Sequence, residues 1–487
     1  RMLTKQPNIL FIVLDTVRAD STTFGDRNIT PTIETERKRG KGYHNAIAPT
    51  PWSLPSHASM FTGRYATEHG ATQENKWLSD EHTTLAEQLS KAGYITGIFT
   101  GNLFTSGTFN MSRGFNTTCF SLRNKLFNDG HSLDEILFRE GSPGEQEGPG
   151  KQEMLVIAVR ELLTGDQKTG ANILWSEFNE VLGQTPELDD RKELDDYIIP
   201  DAKRFIRSKS ESEHPFFAFV NILAAHGPWE YDESRLRAIG VNPSDYGSDE
   251  AWEYLASVSQ DQWPHAAGEL TFSDREREML TLLYESWVHE ADKFAGELVQ
   301  TLEDEDVRDD TVVVLTADHG EVIADDGILG HTVSLKDDCV HVPLVVSGPE
   351  IDTTDVKETI SLKDLYGTLL SSAGVQTDAS SLQSTLEQDT ALTERFGVSL
   401  TEIQKYVDGI SDDLKLYTHH HQKLYTNSSS VERCADTGSV FGDENLLLEL
   451  EKFVKGLDTH KGKQNEINVS EKVTNRLEQL GYRNPEN

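Results

Sequence analysis

TVVVLTADHG, residues 311–320, is a run of β-branched and apolar residues that closes on an acid, a histidine and a glycine. A short, continuously apolar run with such an ending reads as a strand buried on both faces, the kind found in parallel sheets. Two other stretches repeat the design. NILFIVLD (8–15) ends in Asp15, and FFAFVNIL (216–223) is followed shortly by His226. YITGIFT (94–100) and VPLVVSG (342–348) add further strands. Helical spacing appears in LAEQLSKAG (85–93), where Gly93 is a stop, over roughly 274–304, and in LKDLYGTLLSSAG (362–374). This alternation predicts an α/β fold, a central and mostly parallel sheet sandwiched by helices.

At 487 residues the chain exceeds one simple core, so more than one domain or subdomain is expected. The texture changes near residue 380, which suggests a main domain over 1–378 and a smaller α+β subdomain over 379–487. The latter contains a short strand pair (LKLYTHHH and QKLYTNS), an acidic helix and a closing KVTNRLEQLGY helix. Within the main domain the pattern blurs from Arg113 to about Pro200. A variable insert is expected over about 120–200, with GSPGEQEGPG (141–150) as a mobile loop by composition.

Charge excludes some functions. With 82 acidic against 45 basic residues the formal net charge is -37, which would repel nucleic acid. Self-repulsion on this scale needs salt, which screens exposed charges beyond about 8–10 Å, so the surface reads as that of a halophile's protein. Cys119, Cys339 and Cys434 are far apart and odd in number, giving no disulfide framework or zinc motif. No signal peptide or membrane-spanning segment is visible, making the cytoplasm the expected location, although the sequence opens on Arg1 and an upstream piece is conceivable.

Ligands of open α/β sheets bind at the carboxyl ends of the strands, where Asp15, His226 and Asp318-His319 all fall. One such residue is ordinarily a cap or turn former; several together point to a site. Two carboxylates and an imidazole suit a divalent cation, one or two ions of Ca²⁺, Mn²⁺ or Zn²⁺, with the histidine shifting preference from Ca²⁺ toward the other two. His331, in GILGHT (327–332), is either a further ligand, a donor to an anionic substrate or a solvated loop residue. PWSLPSHASMFTG (51–63) places Ser53 at the start of a short helix that stops at Gly63.

LDTVRAD, SLPSHASMFTG, FFAFVNILAAHGPW, TADHGE, GHT and VPLVV occur in the order and spacing of the sulfatases, within the alkaline phosphatase superfamily. The chain resembles that family over most of residues 7–375, and a haloarchaeal member fits its charge. By this resemblance Asp15, Asp318 and His319 hold the metal together with Ser53, the nucleophile position. His226 touches the bound anion or leaving group, and His226 or His331 protonates the leaving oxygen. A helix N-terminus at Ser53 adds its positive dipole end to the anion site. Arg18 either contributes positive charge there or forms a structural ion pair with Asp20 or another acid.

The match departs from the family at defined positions. Sulfatases oxidise Cys or Ser to formylglycine within C/S-x-P-S-R; here His57 replaces the arginine, leaving conversion of Ser53 open and placing His57 near the substrate. Thr16 stands where a second aspartate is usual, and Gly101-Asn102 where Lys-x-His grips sulfate. His319 stands where many members have asparagine. These departures point to relatives that use an unmodified Ser or Thr on phosphoryl groups, some with an asparagine like Asn102 on a phosphoryl oxygen. The expected activity is thus cleavage of sulfate esters, or of phosphate mono- or diesters, in a sulfated or phosphorylated small molecule or saccharide. A phosphodiesterase or phosphoryl-alcohol transferase acting on glycans or lipids, and an inactive anion-binding relative, are the alternatives. A homo-oligomer stays open.

Two further clusters are expected to be surface. In THHHQK (418–423) His419 and His421 would share a strand face, but a polar hairpin without a nearby carboxylate favours solvated side chains. Glu285, His289, Glu290 and Asp292 read as the solvated face of the long helix. Cys339, beside VHVPLVV, reads as a small apolar packing residue.

Overall fold

The computed structural model describes residues 6–120, 192–259, 262–385, 389–398, 403 and 415–459. Eight strands form the main sheet: β1 (Asn8–Leu14), β2 (Gly40–Ile47), β3 (Ile95–Thr100), β4 (Thr117–Phe120), β5 (Phe216–Ile222), β6 (Thr311–Thr316), β9 (His341–Ser347) and β10 (Thr354–Ser361). Between β6 and β9 lies a small hairpin, β7 (Val322–Asp325) and β8 (Ile328–Gly330). The order is β10-β2-β9-β6-β1-β5-β3-β4, parallel throughout except that β9 runs antiparallel between β2 and β6. The expected α/β architecture is therefore observed. Both β1 and β5 are buried at every position, as their unbroken apolar sequences require.

Helices cover both faces. They include α1 (Pro31–Arg39), α2 (Ser53–Thr62), α3 (Ala66–His69), α4 (Leu85–Lys91), α5 (Lys192–Ser210), α6 (Asp274–Asp304) and α7 (Leu365–Ser372). The long α6 begins at a capping box in which Ser273 accepts from the Glu276 amide and Glu276 reaches back. One correction concerns its polar residues. Asp292 is fully buried and its two carboxylate oxygens accept from the amides of Thr32 and Ile33, capping α1 from outside. Glu285 is buried too, paired with Arg27, and His289 Nδ1 bonds the Ile29 carbonyl at 2.7 Å. These groups staple α6 to the start of α1; His289 and Glu290, the latter paired with Lys293, are half-buried.

After residue 380 a four-stranded antiparallel sheet, β11 (Thr390–Arg395), β12 (His421–Thr426), β13 (Ser430–Cys434) and β14 (Val440–Gly442), packs with α8 (Leu447–Gly456). LKLYTHHH is not a strand: Leu416–Thr418 form a 3₁₀ turn, and β12 pairs instead with β11 and β13. Nor are its histidines all on a solvated surface: His419 and His420 are half-buried and His421 is buried. His421 is 7% exposed, and its Nδ1 lies 2.6 Å from the Glu432 carboxylate, a partner across the β12–β13 ladder that the linear sequence hides. GSPGEQEGPG and the closing KVTNRLEQLGY lie outside the described residues. No helix among the described residues is long and apolar enough to cross a membrane.

Candidate active site

Four neighbouring strands, β6-β1-β5-β3, end at the same edge of the sheet. Asp318 follows β6, Asp15 follows β1, His226 follows β5 and Asn102 follows β3. Parallel strands stand about 4.8 Å apart, and β1 and β6 are in register, Val13 opposite Thr316. Groups just over three hundred residues apart in the chain are thereby set side by side. The Asp15 amide bonds the Ile222 carbonyl at 2.9 Å, extending the β1–β5 ladder up to the site.

Asp15, Ser53, His57, Asp318 and His319 are all fully buried. His319 Nδ1 meets the Gly320 carbonyl at 3.0 Å, which makes Nδ1 the protonated nitrogen and leaves the Nε2 lone pair facing the cluster. That Nε2 lies 3.3 Å from Ser53 Oγ, 3.4 Å from Asp318 Oδ2 and 4.0 Å from Asp15 Oδ1. Asp15 Oδ1 and Asp318 Oδ2 have no hydrogen-bond partner. One ligand atom from each of Asp15, Asp318 and His319 lies within 4.8 Å of the others. Two buried, unpartnered carboxylate oxygens converging on an imidazole lone pair fit a divalent cation.

The electrostatics agree with that fit. Burial, then the neighbouring Asp318 charge, holds the Asp15 carboxyl well above the ordinary aspartate range. Burial pushes His319 down to about 4, so its imidazole is neutral at ordinary pH. Without added positive charge the cluster cannot carry two carboxylates at low cost.

Other groups hold the cluster in place. Asn102 Nδ2 donates to Asp15 Oδ2 at 2.8 Å, with Asn221 Nδ2 farther off at 3.4 Å. Asp318 Oδ1 accepts from the amides of His319 at 3.0 Å and Thr16 at 3.3 Å. Thr16 has φ +63°, a left-handed conformation rare for a β-branched residue. Tyr284 fixes that turn: its hydroxyl donates to the Thr16 carbonyl and accepts from the Arg18 amide, each at 2.8 Å. Gly320 is required by close approach, since a Cβ there would stand 2.1 Å from the Asp338 carbonyl oxygen.

Helix α2 presents Ser53 at its first turn, after Trp52 in extended conformation. First-turn amides have no intrahelical partner, and Pro55 has no amide to satisfy. The helix ends at Gly63, φ +69°, where a Cβ would press on the Tyr366 ring at 2.9 Å. Ser56 Oγ donates to the Asp318 carbonyl at 2.6 Å, tying α2 to the end of β6.

His57 lies under the helix: Nδ1 meets the Ser53 carbonyl at 2.8 Å and Asp318 Oδ2 at 3.5 Å, and the ring packs edge-on against Phe219. Arg18 pairs with Asp20 and Asp338. His331 Nδ1 is 3.2 Å from both oxygens of Glu321; its ring lies 4.3 Å from that of His319 and 5.3 Å from that of His226. The structure thus brings Asp15, Ser53, Asp318, His319, His331, His226, Asn102 and His57 together and turns Arg18 toward its acids. Sequence reading missed Glu321, Asn221 and Tyr284. A polar Asn221 inside the apolar FFAFVNIL and the acid closing TADHGE were the available signals for the first two. Cys339 is fully buried, with Sγ 3.0 Å from the His331 carbonyl.

A sulfatase family profile matches residues 7–375. Arylsulfatase K from Gallus gallus is 23% identical over 381 residues, covering 76% of this chain and 64% of that protein. The chain therefore spans less than two thirds of the length of such curated relatives. Among solved structures, a phosphonate monoester hydrolase from Silicibacter pomeroyi superposes with a TM-score of 0.60 at 17% identity, covering 92% and 94% of the two chains. A 2-O GAG sulfatase gives 0.58 at 16% identity, covering 92% and 87%. At these identities the structural likeness is one of fold.

Proposed function

The chain belongs to the sulfatase family, and on that premise we propose that it is a metal-dependent ester hydrolase that cleaves sulfate esters, with saccharides as their carriers. The observation that carries this reading is the placement of Ser53 Oγ, 3.3 Å from His319 Nε2 at the head of a buried helix, beside the two unpartnered carboxylate oxygens. Asp15, Asp318 and His319 would hold the cation, which supplies positive charge that favours the Ser53 alkoxide and offsets the ester's own charge.

Ser53 Oγ, or one hydroxyl of its hydrated formylglycine form, attacks sulfur in line as the bond to the leaving oxygen breaks. Burial of Ser53 keeps bulk water from competing at this stage. His331, oriented by Glu321, or its edge-on neighbour His226 gives a proton to the departing alkoxide. Water then releases the sulfate and restores the free residue. His57 donates its Nδ1 proton to the Ser53 carbonyl and stands beside Asp318 Oδ2 at 3.5 Å, bracing the head of α2 against that carboxylate. Asn102 donates to Asp15 Oδ2 and orients it. Residues 1–378 make up the catalytic unit, and 379–487 a subdomain whose Glu394 accepts from the Thr67 amide at 3.0 Å, docking it beside α3.

A second reading, attack on phosphorus by unmodified Ser53, is favoured by His57 standing buried where the maturation pattern has arginine. The similar fold of a phosphonate monoester hydrolase supports a phosphorus ester as the substrate in that reading. One experiment separates the two: intact mass of the peptide spanning 51–63, combined with aryl sulfate, phosphate monoester, phosphate diester and phosphonate ester assays at high salt. Loss of two hydrogens at Ser53 with sulfate ester turnover supports the first reading. Unmodified serine with turnover only of phosphorus esters moves the assignment to the second. Ser53→Ala should lower turnover by about 10³-fold or more while leaving bound metal unchanged; near-normal activity in that variant would overturn both.

A further inference from the structure

We infer that His419, His421 and Cys434 form a second metal site, soft and separate from the carboxylate cluster, that takes a thiophilic divalent ion such as Zn²⁺. His421 opens β12 and Cys434 closes β13, and the two are directly opposed in the antiparallel ladder. His419 lies at the bend that follows the 3₁₀ turn, two residues ahead. One ligand atom from each lies within 4.8 Å of the others. A tetrahedral zinc site holds N and S donors at about 2.0–2.3 Å from the ion, hence roughly 3.3–3.8 Å from one another. Closing the site takes a side-chain shift of about 1 Å, and His419, half-buried at a bend, is the ligand free to make it.

Three independent observations point to a ligand. First, His421 Nε2 and His419 Nδ1 are buried nitrogens with no hydrogen-bond partner, although His421 is 93% enclosed by its 7% exposure. An orphaned ring nitrogen in that setting costs stability unless something occupies it. Second, the other nitrogen of His421 is held by Glu432, Nδ1 to Oε1 at 2.6 Å. This is the carboxylate–histidine arrangement that fixes a metal-binding tautomer and leaves the Nε2 lone pair outward. Third, Cys434 is 2% exposed, unpaired, and sits on the same face as that lone pair.

His420, between the two, is not part of the cluster: its Nε2 is also without a hydrogen-bond partner, but its ring stacks on Phe396 at 4.4 Å and lies 3.7 Å from Glu394. Arg395 lies across β12 from His421, and the Glu432 carboxylate on His421 Nδ1 offsets its charge toward a cation. Thiolate with two imidazoles selects Zn²⁺ over the hard ions that suit the Asp15 cluster. On binding, the Cys434 S–H proton passes to buffer, the S–metal bond forms and the ion stays divalent. Water fills the fourth position. The ion would pin the β12–β13 ladder to the turn before it, in a small sheet otherwise held by few apolar side chains.

The test uses the full chain, purified under reducing conditions, stripped with chelator and titrated with Co²⁺. Sulfur reports on this site alone, because the Asp15, Asp318 and His319 cluster contains none. The expected result is a thiolate-to-cobalt charge-transfer band in the near ultraviolet, displaced by Zn²⁺, retained in Cys339→Ser and Asp318→Asn, and lost in Cys434→Ser. Glu432→Gln should weaken Co²⁺ binding by about 10–100-fold. Should circular dichroism show Cys434→Ser unfolded, His419→Gln at the half-buried bend gives the same readout and should lose or strongly weaken the band. Absence of the band in the unsubstituted chain, or its persistence at full strength in folded Cys434→Ser or His419→Gln, overturns the site.

Discussion

Replacing Tyr284 with phenylalanine removes one oxygen atom and tests how the site is built. The Tyr284 ring is fully buried and packs edge-on against Trp229, so the substitution leaves apolar packing intact. What it removes is a double bond-maker: the hydroxyl donates to the Thr16 carbonyl and accepts from the Arg18 amide, each at 2.8 Å. A buried backbone group left without its partner costs about 1–3 kcal/mol. Two such groups, discounted for partial relaxation of the loop, give about 2–4 kcal/mol. Tyr94→Phe is the internal control, since that hydroxyl makes a single bond, to the Pro7 carbonyl at 2.8 Å, with an expected loss of about 1 kcal/mol. Urea unfolding of both variants at one fixed salt concentration measures the difference.

The same variant has a consequence at the cluster. Thr16 sits at φ +63° and its amide donates to Asp318 Oδ1, so loosening its turn removes a donor that orients a proposed metal ligand. Divalent cation affinity, followed by calorimetric titration, should fall by about 10-fold or more, as for other supports of ligating groups. A Tyr284→Phe protein as stable as the unsubstituted chain, with unchanged cation affinity, would refute the claim that this hydroxyl sustains the strained turn.

Two other outcomes follow from charge. Burial raises the Asp195 carboxyl to about 8, even though its oxygens accept from the Leu223 amide at 3.0 and 3.1 Å. Below about pH 4 both folded and unfolded chains hold this proton. Between there and pH 8 only the folded chain does, so its contribution falls as pH rises, by at most about 1.4 kcal/mol per unit, and levels off above the folded value. Asp195→Asn keeps the acceptor oxygen and removes the titration, so its melting temperature should gain on the unsubstituted protein from pH 5 to 9. A constant difference would contradict the assignment. The net charge of -37 predicts a urea midpoint that climbs with KCl as the repulsion between surface acids is screened. A midpoint flat from low to molar KCl would remove the salt-adaptation reading.

The strands that carry the site were legible because they are buried on both faces, and unbroken apolar runs such as those of β1, β5 and β6 have few other readings. GKGYHNAI (β2) and TDVKETIS (β10), toward the sheet's edge and partly open to water, show no such run and went unread. At the site, Asp15, Asp318 and His319 could be found because a strand end is a fixed address. Their supports could not. Tyr284 lies on a helix whose partner turn is hundreds of residues away, and Asp292 looks like any solvated helix acid until the amides of α1 are seen beside it. His421 failed for a related reason: its carboxylate is a cross-strand neighbour, visible only once the register of β12 and β13 is known.

The central position of β1 bears on how the chain is made. Among the described strands it is the first to leave the ribosome, yet its two neighbours, β5 and β6, begin at Phe216 and Thr311. At about 5–20 residues per second, synthesis leaves its apolar length without either partner for on the order of tens of seconds. Loop closure over such separations is also slow once the partners exist. The strand that carries Asp15 thus waits as a sticky nascent segment, and a chain interrupted before Thr311 would present one of its edges to any other copy nearby.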